Sequence, residues 1–161
     1  MATDWDTELA GFLARLSEVQ QRTLEMLGRK RQLLINGDLE ALGELAQAEA
    51  GLADELRQAL ARRQELLEQA AREGLPASNL QAVAGALPPQ QRALLEPPFR
   101  RASAQAQLLA HEGLVNWVLV QRILLHLSQL LEIIATGGRL KPTYRKEESL
   151  QASGALVDRA V

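Results

Sequence analysis

The chain has 161 residues, a length that suits one domain, and no cysteine, which excludes disulfides, thiolate metal sites and cysteine nucleophiles. Hydrophobic residues make up 47% and charged residues 24%, yet aromatics only 3%, so Leu and Ala must build the core, as in packed helices rather than a β-sandwich. The net charge of −2 argues against general nucleic-acid binding, which needs clustered basic charge.

The opening MATDWDTELAG is acidic and lacks a basic segment followed by an apolar one, so no secretory signal is expected. The spacing predicts a first helix over about 4–35, with Asp4 as N-cap. Trp5, Leu9, Phe12, Leu16, Val19, Thr23, Met26, Lys30 and Leu33 step by four and three along one face. Asn36-Gly37 ends it. Asp38 is a good N-cap for a second helix over about 38–73, closed by Gly74-Leu75-Pro76. Its stripe is Leu42, Leu45, Glu49, Leu52, Leu56, Ala59, Arg63, Leu66 and Ala70. The connection is so short that the two helices should form an antiparallel hairpin. Glu49 and Arg63 are charged positions on that stripe, and Glu49 has a candidate partner in Lys30 across the hairpin.

Residues 75–98 form a punctuated corner. Ser78 or Asn79 could cap a short helix through Ala86. Pro88-Pro89 and Pro97-Pro98 bracket a second short piece, because proline suits a first helical turn and not an interior. A third long helix then spans about 98–135, stopped by Thr136-Gly137-Gly138. Within it Asn116, Val120, Ile123, Leu127, Leu130 and Ile134 keep the rhythm of a coiled-coil seam, which runs back through Gly113, Leu109, Ala106, Ala102 and Phe99. Leu114, Val118 and Leu125 point away from that seam on a wheel of about 100° per residue. The apolar run is long enough to span a bilayer. It carries Arg122, His126 and Glu132, and central charges cost roughly 2.5–3.5 kcal/mol each on insertion, so no stable membrane insertion is expected.

The expected fold is therefore all-α: an elongated antiparallel bundle or coiled coil of three long helices over 1–138, with short helices in the corner. The polar segment 139–161 should be a flexible tail that still holds Leu140, Tyr144, Leu150, Leu156 and Val157.

Residues for catalysis are not evident. His111 and His126 lie fifteen apart without the Glu-x-x-His spacing of di-iron bundles, and no phosphate loop or nucleophile elbow occurs. The expectation is no enzyme, no cofactor and no metal. Asn116 either fixes the register of the seam or sits hydrated where the seam opens. Trp117 is either a boundary aromatic or an anchor for a partner. The stripe of Leu114, Val118 and Leu125 is either core or an interface for an amphipathic helix or a second copy.

The layout resembles the FlgN-type flagellar export chaperones. The likeness is sharpest over 116–161, in Asn116, in Thr136-Gly137-Gly138, in Pro142-Thr143-Tyr144 and in the closing Gly154-Ala155-Leu156-Val157-Asp158-Arg159-Ala160. Leu33-Leu34, Gly37-Asp38, Leu42, Leu45 and Glu49 look like that family's first hairpin. The family commonly has glycine soon after the tyrosine, whereas Arg145-Lys146-Glu147-Glu148 follow Tyr144 here. The resemblance implies a cytoplasmic chaperone of bacterial flagellum biogenesis and type III protein export. Such a chaperone binds hook–filament junction subunits, prevents their premature association and delivers them to the export apparatus, with export-gate or export-ATPase components as further partners. It also implies client binding by the C-terminal part. Carried over, the client-binding residues would be Leu114, Trp117, Val118, Leu125, Tyr144, Leu156 and Val157. The protein would be a monomer or weak homodimer. The competing expectation is a structural coiled-coil protein that homo-oligomerises and holds no client.

Overall fold

The structure is a computed structural model that describes residues 4–138. Four helices follow in order: α1 (Trp5–Asn36), α2 (Leu39–Arg72), α3 (Leu80–Gly85) and α4 (Pro89–Ala135). There is no strand among the described residues, so the fold is all-α. The chain divides into two compact units, Met1–Arg122 and Ile123–Val161, and each is described by itself.

Capping follows the local chemistry closely. Gly37 takes φ 70°, and the N–H groups of Gly37 and Asp38 donate to the carbonyls of Leu34 and Leu33. This is the paired closure that a left-handed residue makes possible, and glycine enters it without steric cost. One residue later the Asp38 carboxylate accepts from the Ala41 N–H at 3.1 Å and opens α2. Asn79 does the same for α3, accepting from the Ala82 N–H at 2.8 Å. Asp4 stands at the N-cap position of α1, but its side chain makes no capping bond to the backbone and accepts instead from Thr7 Oγ1 at 2.7 Å.

Side-chain pairs fix how α1 and α2 run. Trp5 Nε1 donates to Glu73 Oε2 at 2.9 Å, and Glu8, Arg22 and Lys30 pair with Arg62, Glu55 and Glu49. Partner numbers on α2 fall as those on α1 rise, so the two helices are antiparallel. The Lys30–Glu49 pair expected across the hairpin is present, with Nζ 2.7 and 2.8 Å from the two carboxylate oxygens. The Glu55 carboxylate raises the Arg22 pKa further above its ordinary value, through hydrogen bonding first and charge second.

One core gathers Trp5, Leu9, Phe12 and Leu13 from α1, Leu66, Leu67 and Ala70 from α2, Leu80, Val83 and Ala84 from α3, and Leu95 and Ala102 from α4. Full burial of each large aliphatic in this set contributes about 1.5–3 kcal/mol. A smaller cluster of Met26, Leu45 and Leu52 lies along the α1–α2 hairpin. The predicted stripes of the first two helices supply much of both clusters. Leu13, Ser17 and Gln20 are also buried on α1. Gln20 Nε2 donates to the Ala102 carbonyl at 3.2 Å, where the small alanine side chain lets the two helices approach.

The last long helix departs from the sequence expectation at its start. It begins at Pro89, not near 98, and Pro97 and Pro98 lie inside it. Pro88-Pro89 do mark a beginning: the Arg92 N–H closes the first turn onto the Pro88 carbonyl at 3.0 Å. An interior proline costs roughly 3 kcal/mol through a lost donor and a clash with the carbonyl four residues back. The opposing term is packing in register. Leu95 is only 2% exposed and extends the four-three rhythm of Phe99 and Ala102 backwards across the proline pair into the core.

The seam also ends earlier than its periodicity suggests. Gln20, Gln21 and Arg31 of α1 meet Ala102, Gln105 and Glu112 of α4, so these two helices run parallel. Arg31 stands five residues before α1 ends at Asn36, so at equal rise α1 offers partners only to about residue 117 of α4. Asn116 is 4% exposed, whereas Leu127 and Ile134 are 49% and 74% exposed. Leu130 is likewise exposed. The seam rhythm read over Asn116–Ile134 is therefore buried only at its start among the described residues: Asn116 is covered, whereas Leu127, Leu130 and Ile134 are exposed.

Candidate functional site

Helix α4 carries the candidate surface, and its ends explain its length. Pro89 sets the first turn. At the other end Gly137 and Gly138 adopt φ 61° and 73°, and their N–H groups close on the carbonyls of Ile134 and Ile133. Thr136 Oγ1 donates to the Glu132 carbonyl at 2.7 Å. Between these stops nothing in the sequence breaks the helix except the tolerated proline pair.

In the first unit, Leu114, Trp117 and Val118 are exposed on α4. Their spacing of three and four puts them on neighbouring turns of one face. Trp117 is 60% exposed, so the boundary-aromatic alternative gives way to an open indole. Asn116 lies on the other side. Its Nδ2 donates to the Glu112 carbonyl at 2.9 Å in its own helix, and its Oδ1 is buried without a partner among the described residues. Glu112 in turn holds Arg31 at 2.6 Å, so the bottom of the covered seam is a polar node.

In the second unit, every residue from Leu124 to Ala135 is exposed among the described residues, and Ile123 is half-buried. Leu125, the residue singled out by its position off the seam, is 63% exposed. Leu124, Leu127, Leu130, Leu131, Ile133 and Ile134 are exposed with it. Sequence reasoning separated Leu125 from the seam residues and missed Leu124 and Leu131. The signal available was the number of large aliphatics per turn, which exceeds what one covered seam can take. Tyr144, Leu156 and Val157 lie outside the described residues.

Chemistry beyond apolar contact is sparse. His111 and His126 are exposed on α4. No group of three or more His, Cys, Asp or Glu gathers to hold a metal ion among the described residues. A cleft of about 700 Å³ between α1 and α4 is lined by Ala10, Leu13, Ala14, Ser17, Pro97 and Pro98 with Arg22 and Arg101 at its edge. It lies beside the proline pair, far in sequence from the open stripe, and no nucleophile–base pair lines it.

Among the described residues these observations define an all-helical protein whose last helix exposes apolar side chains in each of the two units. Comparison with known families is consistent with that class: a family model described as FlgN protein matches residues 1–152. With nearly the whole chain matched, the protein belongs to the FlgN family, a family of chaperones of flagellar biogenesis. No curated protein and no solved structure matches the chain.

Proposed function

We propose that the protein is a cytoplasmic chaperone of flagellar type III export that holds hook–filament junction subunits before secretion and is not an enzyme. The observation that carries the reading is the exposure of Leu114, Trp117 and Val118 on α4 in the first unit and, separately, of Leu125 in the second, in a chain of this family. A client helix with its own coiled-coil stripe self-associates unless that stripe is covered. An amphipathic client helix laid on α4 would cover both stripes at once. Trp117 supplies the large rigid anchor that dominates such interfaces. Tyr144, Leu156 and Val157 would close over the client. Ordering a tail on binding costs roughly 2–5 kcal/mol of the gross interaction energy, which keeps the complex releasable. Delivery would bring the loaded chaperone to export-gate or export-ATPase components.

Asn116 supports a registering role for the covered seam, since a buried amide tolerates fewer alignments than a leucine. The reading treats 1–138 as the folded part and 139–161 as the closing tail, with a monomeric chaperone taking one client. Co-purification with a hook–filament junction subunit tests it. The full chain should form a soluble complex that is lost with Leu125→Glu and weakened by truncation after Gly138. Normal binding by both variants would show that the client sits elsewhere. Self-association of the full chain that persists when client is added would favour the homo-oligomeric alternative.

A further inference from the structure

We propose that α4 beyond Pro98 parts from α1 in the native protein, as a flap that closes on an amide-lined seam and opens without unfolding the α1–α2 hairpin. The seam lies wholly in the first unit.

The apolar clusters leave this seam out. The main cluster takes only Leu95 and Ala102 from α4 as buried residues, and the second, Met26, Leu45 and Leu52, takes none. After Ala102 the one buried residue of α4 is Asn116. Leu109 is half-buried and joins neither cluster. On α1, Ser17 and Gln20 are buried polar residues. Burial of apolar area, the main source of adhesion between helices, is therefore small along the seam.

Polar contacts join the two helices instead. Gln20 Nε2 donates to the Ala102 carbonyl at 3.2 Å, Gln105 Nε2 to Gln21 Oε1 at 3.3 Å, and Arg31 pairs with Glu112 at 2.6 Å. The Gln105–Gln21 bond is exposed and the Arg31–Glu112 pair partly so, and water replaces such contacts at little cost when they break. Four buried side-chain oxygens lack a partner among the described residues, and three of them, Gln20 Oε1, Gln105 Oε1 and Asn116 Oδ1, belong to this seam. Asn116 directs its amide N–H to the Glu112 carbonyl of its own helix, so it adds no bond across the seam. A buried acceptor without a donor carries the cost of lost hydration, and entry of water relieves it. The closed form is thus penalised at three points where the parted form is not.

The proline pair supplies the joint. Pro97 and Pro98 have no N–H, so the Ala93 and Leu94 carbonyls lose their helical donors four residues on. Sharp bends in helices concentrate at such positions. Leu95, 2% exposed, anchors α4 on the near side of the joint. On the far side only Phe99, half-buried, and the small Ala102 reach the main core. The hairpin is better held, by the Met26 cluster and by the ion pairs of Glu8, Arg22 and Lys30 with Arg62, Glu55 and Glu49. A weak face beyond a bending point is the arrangement that opens below the cost of global unfolding. Parting bares the three amide oxygens, so a partner helix bringing N–H or O–H donors to them holds the open form. The opening belongs to the free protein and depends on no client.

Native-state thiol labelling of the full chain tests it, because the chain has no cysteine of its own. Gln20→Cys places a thiol on α1 and Asn116→Cys one on α4, at positions 5% and 4% exposed. Labelling is followed against urea, with global unfolding of the same variant read by circular dichroism. Each thiol should react at least about a hundredfold faster than global unfolding permits, and the two protections should agree within about fivefold, because one event bares both. The urea slope of labelling should be less than about half that of global unfolding, since little surface is exposed. A thiol from Leu66→Cys, in the main core, should follow the global slope. Adding Asn116→Leu to Gln20→Cys should slow labelling about fivefold or more by removing a buried unpaired oxygen. Adding Glu112→Gln should speed it about threefold by removing a link across the seam. Labelling at 20 and 116 with the rate and slope of global unfolding would overturn the proposal. So would reaction at one of the two positions with the other fully protected, or a rate that neither second substitution changes.

Discussion

Leu95 and Leu127 both fall on the four-three rhythm of α4, and the structure gives them opposite environments. Leu95 is 2% exposed within the main core and Leu127 is 49% exposed. Leu95→Ala removes three buried carbons and leaves a cavity in the main core cluster. Such truncations cost about 2–5 kcal/mol, and the low exposure here puts Leu95 in the upper half of that range. Leu127→Gln changes helix propensity very little, because Leu and Gln rank together. With no core around it, the substitution should fall within about 0.5 kcal/mol of the unmodified chain. Urea unfolding followed by circular dichroism reads both, with the slope checked for constancy so that midpoint shifts report stability. If Leu127→Gln destabilises as much as Leu95→Ala, the late seam is covered in the free protein and the open surface on α4 does not exist.

Four further outcomes follow from particular contacts. Pro97→Ala restores a donor for the Ala93 carbonyl in the middle of α4, and it should stabilise the protein by about 1–3 kcal/mol in the same unfolding assay; destabilisation would mean that the proline ring is itself a packing element. Asn116→Leu removes a buried amide oxygen that has no partner among the described residues, and it should raise stability by about 1 kcal/mol or more. Sedimentation would then show whether self-association has increased, the sign that the amide had been limiting partner choice. A double-mutant cycle on Lys30 and Glu49 should give a coupling of about 0.2–1 kcal/mol that shrinks with added salt, since both side chains are partly exposed. Gly37→Ala must place a Cβ at φ 70° in the hairpin turn and should cost about 1–2 kcal/mol by thermal unfolding, although the space around it is open.

Much of the fold was legible because helix signals are local. Asp38 and Asn79 cap as their chemistry suggests, Gly37 and Gly74 take positive φ, and the stripes of α1 and α2 enter the two clusters. Lys30 and Glu49 met because a tight turn leaves an antiparallel hairpin only one register. Two features were not legible. Pro97-Pro98 argue for a helix start when propensity is considered alone, and the burial of Leu95 against α1 overrides it. Periodicity likewise continues unchanged from Asn116 to Ile134, but periodicity records what a helix could bury and not what lies beside it. The end of α1 at Asn36 decides where the cover stops, and that depends on the pairing of Arg31 with Glu112. The same fact placed Trp117 in the open, where spacing alone left it between core and surface. Leu114, Val118 and Leu125 were separable from the seam by the wheel; exposure sets Leu114 and Val118 apart from buried Asn116, whereas Leu125 shares its exposure with the seam residues Leu127, Leu130 and Ile134.

The central claim is that the open part of α4 is where a client helix docks. Hydrogen exchange on the full chain, with and without a hook–filament junction subunit, tests it most directly. The account predicts that amides over residues 114–135 become at least tenfold more protected when client is added, while those of the α1–α2 hairpin change little. Protection confined to Trp5–Arg72, with 114–135 exchanging as in the free protein, would contradict it.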